Sequence, residues 1–403
     1  MAKSGLDHLY SKSARCAVPS AIREISKLVD APEMKSLAGG WPDPAVFPAE
    51  DISRITADLL DKHAGQVLQY GTTEGLSELR RELARMSAEK YNIECTPDHI
   101  LIVAGSAQGM DLACRIIINP GDVIVVGLPT YFGGTGAVMA ACGVLQGVEI
   151  DDDGMNTRHL EAQLKDLKNS GKRAKGIYVI PNFQNPTGTT LPLRRRRHLV
   201  ELAERYDLVI FEDDPYGDLR FEGRQLPPII SLDTGGRVIH IRSTSKTFAP
   251  GLRVAWTIGP PDMIRKMAVT KQFVDVATNT LAQHILLEFI RSGLLEKRIK
   301  LNNQHYKRKR DFMLNQLKTH FPKQVQWNHP AGGFFIFVRL PRNIDASALL
   351  KEAIEHNVAF VSGEPFFIDH SGTHTFRLSY SQSGESVIAA AVAELGLLLK
   401  KRL

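Results

Sequence analysis

The stretch Ser243-Thr244-Ser245-Lys246-Thr247-Phe248-Ala249-Pro250-Gly251-Leu252-Arg253 decides how this chain is read. It joins two apolar runs, Val238-Ile239-His240-Ile241 before it and Val254-Ala255-Trp256-Thr257-Ile258 after it, so one buried strand delivers it and another carries the chain away. A lysine held at such a turn, in an enclosed and partly apolar site, can lose its proton near neutral pH and attack an aldehyde. Ser243 and Ser245 precede Lys246 and Arg253 follows it, which makes a cationic, hydrogen-bonding cradle for a dianion beside an amine. The combination suits pyridoxal phosphate. Taken alone, the same residues also fit a solvated loop lysine flanked by serines.

Working outward from this turn, short apolar runs alternate with helical patterns from residue 100 onward, the signature of a largely parallel sheet wrapped by helices. Leu101-Ile102-Val103-Ala104 leads into Gly105-Ser106-Ala107, where a helix N-terminus offers free N–H groups to a phosphate or is simply capped. Val123-Ile124-Val125-Val126 ends near Tyr131, Gly176-Ile177-Tyr178-Val179-Ile180 leads to Asn185-Pro186-Thr187-Gly188, and Leu208-Val209-Ile210-Phe211 feeds Glu212-Asp213-Asp214-Pro215-Tyr216. Open α/β sheets gather such strand ends on one face, where ligands bind. Three acids directly after a buried strand are costly unless something cationic meets them, so one of them is expected to have a partner. Between them, Arg194 to Arg197 open a helix and read as a solvated face.

Upstream, residues 20–28 carry one apolar stripe that predicts a short helix, with Arg23 off the stripe. Gly39-Gly40 permits close backbone approach, and Tyr70 before Gly71 fits either a core aromatic or a ligand-facing hydroxyl. Downstream, a long helix from 294 precedes Gly333-Phe334-Phe335-Ile336-Phe337-Val338, a helix near 346–356, the strand Thr375-Phe376-Arg377-Leu378-Ser379-Tyr380 and a last helix, a smaller α+β layer. At 403 residues the chain exceeds the roughly 250–300 residues of a single core, so more than one domain is expected. The division reads 1–45 as an arm with a substrate loop packing on the small domain, 46–292 as the large domain, and 293–403 as the small one.

Fifty Lys and Arg against 44 Asp and Glu give a formal charge of +6, interleaved in sign, which points to small anionic substrates and away from nucleic acid. No run approaches the roughly 18 apolar residues of a membrane span, and the N-terminus lacks an apolar signal core. Cys16, Cys95, Cys114 and Cys142 lie far apart with no metal-type spacing, so neither a zinc site nor a disulfide framework is expected, and a cytoplasmic, reducing location is.

Together, Asn185-Pro186-Thr187-Gly188, the Asp213-x-x-Tyr216 step, Ser243-x-Ser245-Lys246 with Arg253, and Phe376-Arg377-Leu378-Ser379 closely resemble the aminotransferase class I and II family of pyridoxal-phosphate enzymes. The resemblance runs from about residue 19 to the end. It implies an α/β fold of type I, a mostly parallel seven-stranded sheet sandwiched by helices with a smaller α+β domain. Residues 19–25 with Leu37-Ala38-Gly39-Gly40-Trp41-Pro42 look more narrowly like the 2-aminoadipate and kynurenine aminotransferase branch.

The resemblance also implies roles. Lys246 would hold the cofactor as a Schiff base and then shuttle a proton. Asp213 would pair with the pyridinium nitrogen, and Asn185 and Tyr216 would donate to the ring's phenolic oxygen. Tyr131 would lie against the ring face. Ser106, the Ala107 N–H, Ser243, Ser245 and Arg253 would hold the phosphate, Ala107 standing where relatives often have a side-chain donor. Arg377, with the Gly40 N–H, would take the substrate carboxylate, and Asn185 would border that site. Arg23 would meet a distal carboxylate unless it is a surface arginine, while Trp41, Tyr131 and Phe366-Phe367 would favour aromatic or long apolar side chains. Tyr70 would cross to a neighbouring subunit's phosphate in a homodimer, a structural tyrosine in a monomer being the alternative. The implied reaction moves an amino group from an L-amino acid to a 2-oxo acid such as 2-oxoglutarate, with ping-pong kinetics. Lyase, decarboxylase or condensing chemistry on the same fold, and a non-enzymatic regulatory binder, are the competing readings.

Overall fold

The main sheet has seven strands, most of them buried along their length, the pattern of a sheet covered on both sides, while the outer Val144–Asp151 is largely half-buried. The computed structural model describes residues 6–17 and 33–403. From edge to edge the sheet runs Ile100–Val103, Ala255–Ile258, Val238–Ser243, Val209–Asp214, Ala174–Val179, Val123–Leu128 and Val144–Asp151, with the two-residue Gly154–Met155 added as an eighth. The four central pairings, from Val238–Ser243 across to Val144–Asp151, are parallel. Ala255–Ile258 pairs antiparallel with both of its neighbours, so the chain leaving the lysine turn doubles back beside the strand that delivered it.

Helices cover the sheet. Ser106–Ile117 and Pro261–Gln272 pack with Ile241, Ile239 and Phe211 on one face, and Thr157–Asn169 and Leu193–Tyr206 with Val125, Ile177 and Ile210 on the other. Each fully buried Ile, Leu, Val or Phe in these layers contributes about 1.5–3 kcal/mol. A second, antiparallel sheet orders Gln326–Trp327, Phe335–Arg339, Thr375–Ser379 and Val361–Ser362. It packs under the 27-residue helix Leu294–His320 and the terminal helix Glu385–Arg402. Lys35–Ser36 pairs with Val358–Ala359, and the Ser379 N–H donates to the Leu37 carbonyl, which lays residues 35–40 along this layer. Among the described residues no helix is long and apolar enough to cross a membrane.

Two expectations are corrected. Cys16 and Cys142 form a disulfide, their Cα atoms 5.5 Å apart although 126 positions separate them. The short helix Lys12–Cys16 lies against Phe132–Ala140, with Ser13 Oγ donating to the Ala140 carbonyl at 2.6 Å. The reading of a reducing compartment from cysteine spacing therefore loses its support. Arg194 to Arg197 are not all a solvated face. Arg196 is fully buried and donates to the carbonyls of Leu191, Pro181 and Pro227 at 2.8–3.0 Å and to Asn182 Oδ1 at 2.7 Å. Arg195 forks onto Asp151 at 2.6 and 2.7 Å. Arg196 so fixes the two ends of the turn that carries Asn185. The helix expected at 20–28, with Arg23, lies outside the described residues.

Candidate active site

Lys246 emerges three residues after Val238–Ser243, a strand buried along its whole length. Its turn is clamped on both sides: Thr244 Oγ1 donates to the Val254 carbonyl at 2.9 Å, and Asn302 Nδ2 to the Thr247 carbonyl at 2.9 Å. The ammonium is left to donate to the Gly40 carbonyl at 2.9 Å, and it lies 5.8 Å from the Phe334 ring. Burial, helped by the positive charges of Arg377 and Arg253 and opposed by Asp213, brings the lysine down to about 8.

Beside it, Ser243 Oγ donates to Ser245 Oγ at 2.8 Å. Arg253, left-handed at φ 54°, sends Nη2 to the Ala104 carbonyl at 3.0 Å. This path crosses Gly105, which sits at φ 112°, and a Cβ there would lie 1.9 Å from Arg253 Nη2. Only glycine admits both the backbone angle and the guanidinium. The helix Ser106–Ile117 starts at once, and the N–H groups of Ser106 and Ala107, in its first turn, have no acceptor within the helix. Arginine, serine hydroxyls and a helix N-terminus are the groups that take a phosphate dianion.

All three acids at the end of Val209–Asp214 have partners, each of a different kind. Glu212 lies 2.8 Å from His240 Nδ1 and accepts from the Ile229 and Ile230 N–H groups at 2.7 and 3.0 Å. Asp214 accepts from Asn182 Nδ2 at 2.9 Å. Asp213 accepts from the Tyr178 hydroxyl at Oδ2, 2.9 Å away, while its Oδ1 is buried without a partner. Burial raises Asp213 to about 6 against the lowering effect of the Tyr178 bond.

The small sheet contributes Arg377. Phe376 and Leu378 point into the core, so strand alternation turns Arg377 to the opposite face. Its guanidinium lies 4.1 Å from the Phe335 ring and 5.2 Å from the Phe366 ring. It donates to Asn185 Oδ1 at 2.8 Å and to the Ala38 carbonyl at 2.5 Å, while Nε is buried without a partner. Because a guanidinium only donates, it fixes the Asn185 amide with its oxygen inward and its NH₂ free to donate elsewhere. Tyr216 is buried edge-on to Phe334 and Phe335, at 5.7 and 5.8 Å, and burial pushes its phenol well above the usual range. Tyr131 caps the helix Phe132–Ala140 and lies near enough to Tyr178, Tyr216 and Arg377 to couple with them electrostatically.

The fold therefore gathers Lys246, Asp213, Asn185, Tyr216, Tyr131, Ser106, Ala107, Ser243, Ser245, Arg253, Arg377 and Gly40. Tyr70 stands apart at 83% exposure, outside this cleft. Sequence reasoning missed Tyr178, the Gly40 carbonyl and the Phe335 platform. A phenol inside an otherwise apolar buried strand must find an acceptor, and that signal could have flagged Tyr178.

An unpartnered buried carboxylate oxygen, an unpartnered guanidinium nitrogen and a glycine-lined anion cradle around an amine fit pyridoxal 5'-phosphate. Residues 44–395 match the family Aminotransferase class I and II. The chain belongs to this family of pyridoxal-phosphate-dependent aminotransferases. It is 41% identical over 394 residues to aromatic-amino-acid aminotransferase 1 of Thermococcus litoralis, covering 98% of this chain and 94% of that one. The structure of Pyrococcus horikoshii kynurenine aminotransferase in complex with PMP superposes with a TM-score of 0.95 at 40% identity, covering 99% of each chain. The α-aminoadipate aminotransferase LysN of Thermus thermophilus, complexed with N-(5'-phosphopyridoxyl)-L-leucine, gives 0.90 at 33%, again over 99% of each.

The site's titrations predict how the apoprotein takes up its cofactor. An amine attacks an aldehyde only in its neutral form, so capture at Lys246 is expected to rise about tenfold per pH unit below about 8 and to level off above it. Below about 6 Asp213 also gains a proton and its negative charge is lost, so affinity falls as well. Stopped-flow absorbance of apoprotein mixed with pyridoxal phosphate checks this, and a flat profile between pH 6 and 8 would contradict it.

Proposed function

We propose that the protein transfers the amino group of an aromatic, 2-aminoadipate-type or large apolar L-amino acid to a 2-oxo acid such as 2-oxoglutarate, in two half-reactions with ping-pong kinetics. The observation that carries this reading is one buried cleft holding an amine, a carboxylate with a free oxygen and an arginine with a free N–H. When bound, pyridoxal phosphate supplies the aldehyde and the electron-accepting ring. The chain's own groups do the rest.

Arg253, Ser243, Ser245, Ser106 and the N–H of Ala107 hold the phosphate. Asp213, whose Oδ1 has no partner in the protein, would pair with the ring nitrogen and favour its protonated form. The Asn185 amide nitrogen and the Tyr216 hydroxyl would donate to the ring's phenolic oxygen, and Tyr131 would lie against a ring face. Arg377 forks onto the substrate α-carboxylate with the Gly40 N–H beside it, which fixes the amino acid's orientation. The neutral amine of Lys246 would take the proton from the substrate α-carbon. Its resting bond to the Gly40 carbonyl places the amine and the carboxylate-binding loop in register. Phe335 and Phe366, which flank Arg377, and the half-exposed Trp41 make an apolar wall suited to the aromatic or long side chains named above. Arg23 is proposed to meet a distal carboxylate.

We also propose a homodimer in which Tyr70 reaches the neighbouring phosphate. Tyr70, Leu68, Phe273 and Val276 are large apolar side chains exposed by 83, 68, 87 and 53%, a pattern that marks a covered face.

The test is the cofactor's visible absorbance before and after a panel of amino acids, with product analysis. Aromatic and aminoadipate donors are expected to convert the cofactor to its amino form and release the matching 2-oxo acid, and 2-oxoglutarate to restore it. Ammonia, CO₂ or a condensed ketone released without an acceptor would replace this reading.

A further inference from the structure

Tyr178 sits on Ala174–Val179, the strand beside Val209–Asp214, which carries Asp213, with Val179 in register with Glu212. Its phenol is 1% exposed and makes the only side-chain hydrogen bond to Asp213 among the described residues. The helix that begins after Tyr131 is shaped around it. At Gly134 a Cβ would lie 2.1 Å from Tyr178 Cζ and 2.5 Å from its hydroxyl, so any larger residue would push the phenol off the carboxylate. Burial holds the phenol far above its ordinary range, and the hydroxyl stays a donor at any working pH.

We propose that Tyr178 is a positioning residue of the transamination site: its hydroxyl ties Asp213 Oδ2 and so holds the carboxylate with Oδ1 turned toward the cofactor's ring nitrogen. This rests on the assignment of Asp213 to that nitrogen. A carboxylate anchored through one oxygen has one rotational setting and one free acceptor. Without the phenol, both oxygens would be buried and unpartnered, the neutral acid would be favoured, and an acid that keeps its proton cannot hold another on the ring. A tyrosine that only fills the core would do none of this.

The two are separated by titrating the apoprotein with pyridoxal phosphate and with its analogue in which C–H replaces the ring nitrogen, read by absorbance and fluorescence. Wild type is expected to prefer the natural cofactor by about a hundredfold. Tyr178→Phe is expected to weaken the natural cofactor about tenfold and the analogue less than about twofold, because it removes one bond to a charged acceptor that matters only when the nitrogen is present. Gly134→Ala, which leaves both partners in place but crowds the phenol, is expected to give the same pattern. In the variants the ¹⁵N resonance of labelled cofactor should move from the protonated toward the neutral ring position. Equal loss for both ligands, or no loss for either, overturns the role of Tyr178 while leaving Asp213 intact. A wild type that does not distinguish the ligands overturns the Asp213 assignment and the proposal with it.

Discussion

Lys246→Ala is expected to lower kcat by about 10⁴-fold or more, the largest single loss in this protein. The roles proposed for its amine are covalent attachment to the cofactor and transfer of the proton at the substrate α-carbon, and general acid–base transfer alone is worth about 10²–10⁴-fold. Lys246→Arg is expected to do no better, because a guanidinium keeps its proton where a lysine brought down to about 8 can give it up. The fold should survive, since the clamp on the turn is made by Thr244 and Asn302 through backbone carbonyls and not by Lys246 itself. Single-turnover kinetics, borohydride capture of the cofactor read by mass, and a thermal melt check the three statements. Retention of a tenth of the activity, or covalent capture at another lysine, would remove Lys246 from the role.

The second large effect is expected at Arg377. Removing one member of a buried, hydrogen-bonded charge pair costs about 2–5 kcal/mol, so Arg377→Leu should lower kcat/KM for amino acids by about 10³-fold. Arg377→Lys is expected to recover only a small part, because one ammonium cannot both fork onto a carboxylate and stack between Phe335 and Phe366. Burial brings the guanidinium down to about 10, so it stays charged across the neutral range and adds no limb to the pH profile there. Some stability is lost too, because the Ala38 carbonyl and the Asn185 amide lose their donor, about 1–3 kcal/mol for such a buried group. Amines that lack a carboxylate give the decisive control: between wild type and Arg377→Leu they should lose only what the released Asn185 amide costs, far less than amino acids lose. An equal loss for both substrate kinds would show that the substitution acts through the fold.

The sequence by itself determined the alternation of buried strands and helices, and with it the parallel sheet and the face on which Lys246, Asp213, Asn185 and Ser106 meet. Those features are local. An apolar run, a glycine at a helix start or a proline-bounded turn is written within about ten residues, and strand order then places the turns together. Arg377 was marked by the resemblance of Phe376-Arg377-Leu378-Ser379 to the family.

Only the tertiary structure decided which atom meets which across the layers. By burial and spacing alone Glu212, Asp213 and Asp214 are alike, and only the family resemblance singles out Asp213; packing gives the first to His240, the last to Asn182, and leaves the middle one a free oxygen beside Tyr178. Arg196 reads as one of four like charges until the turn around Asn182 closes over it. Cys16 and Cys142 show no pairing at 126 residues of separation until one helix is laid on another. In each case the partner lies on a different element, and the choice follows from which side chains share a buried volume, a property of the packed layers that no stretch of neighbouring residues contains.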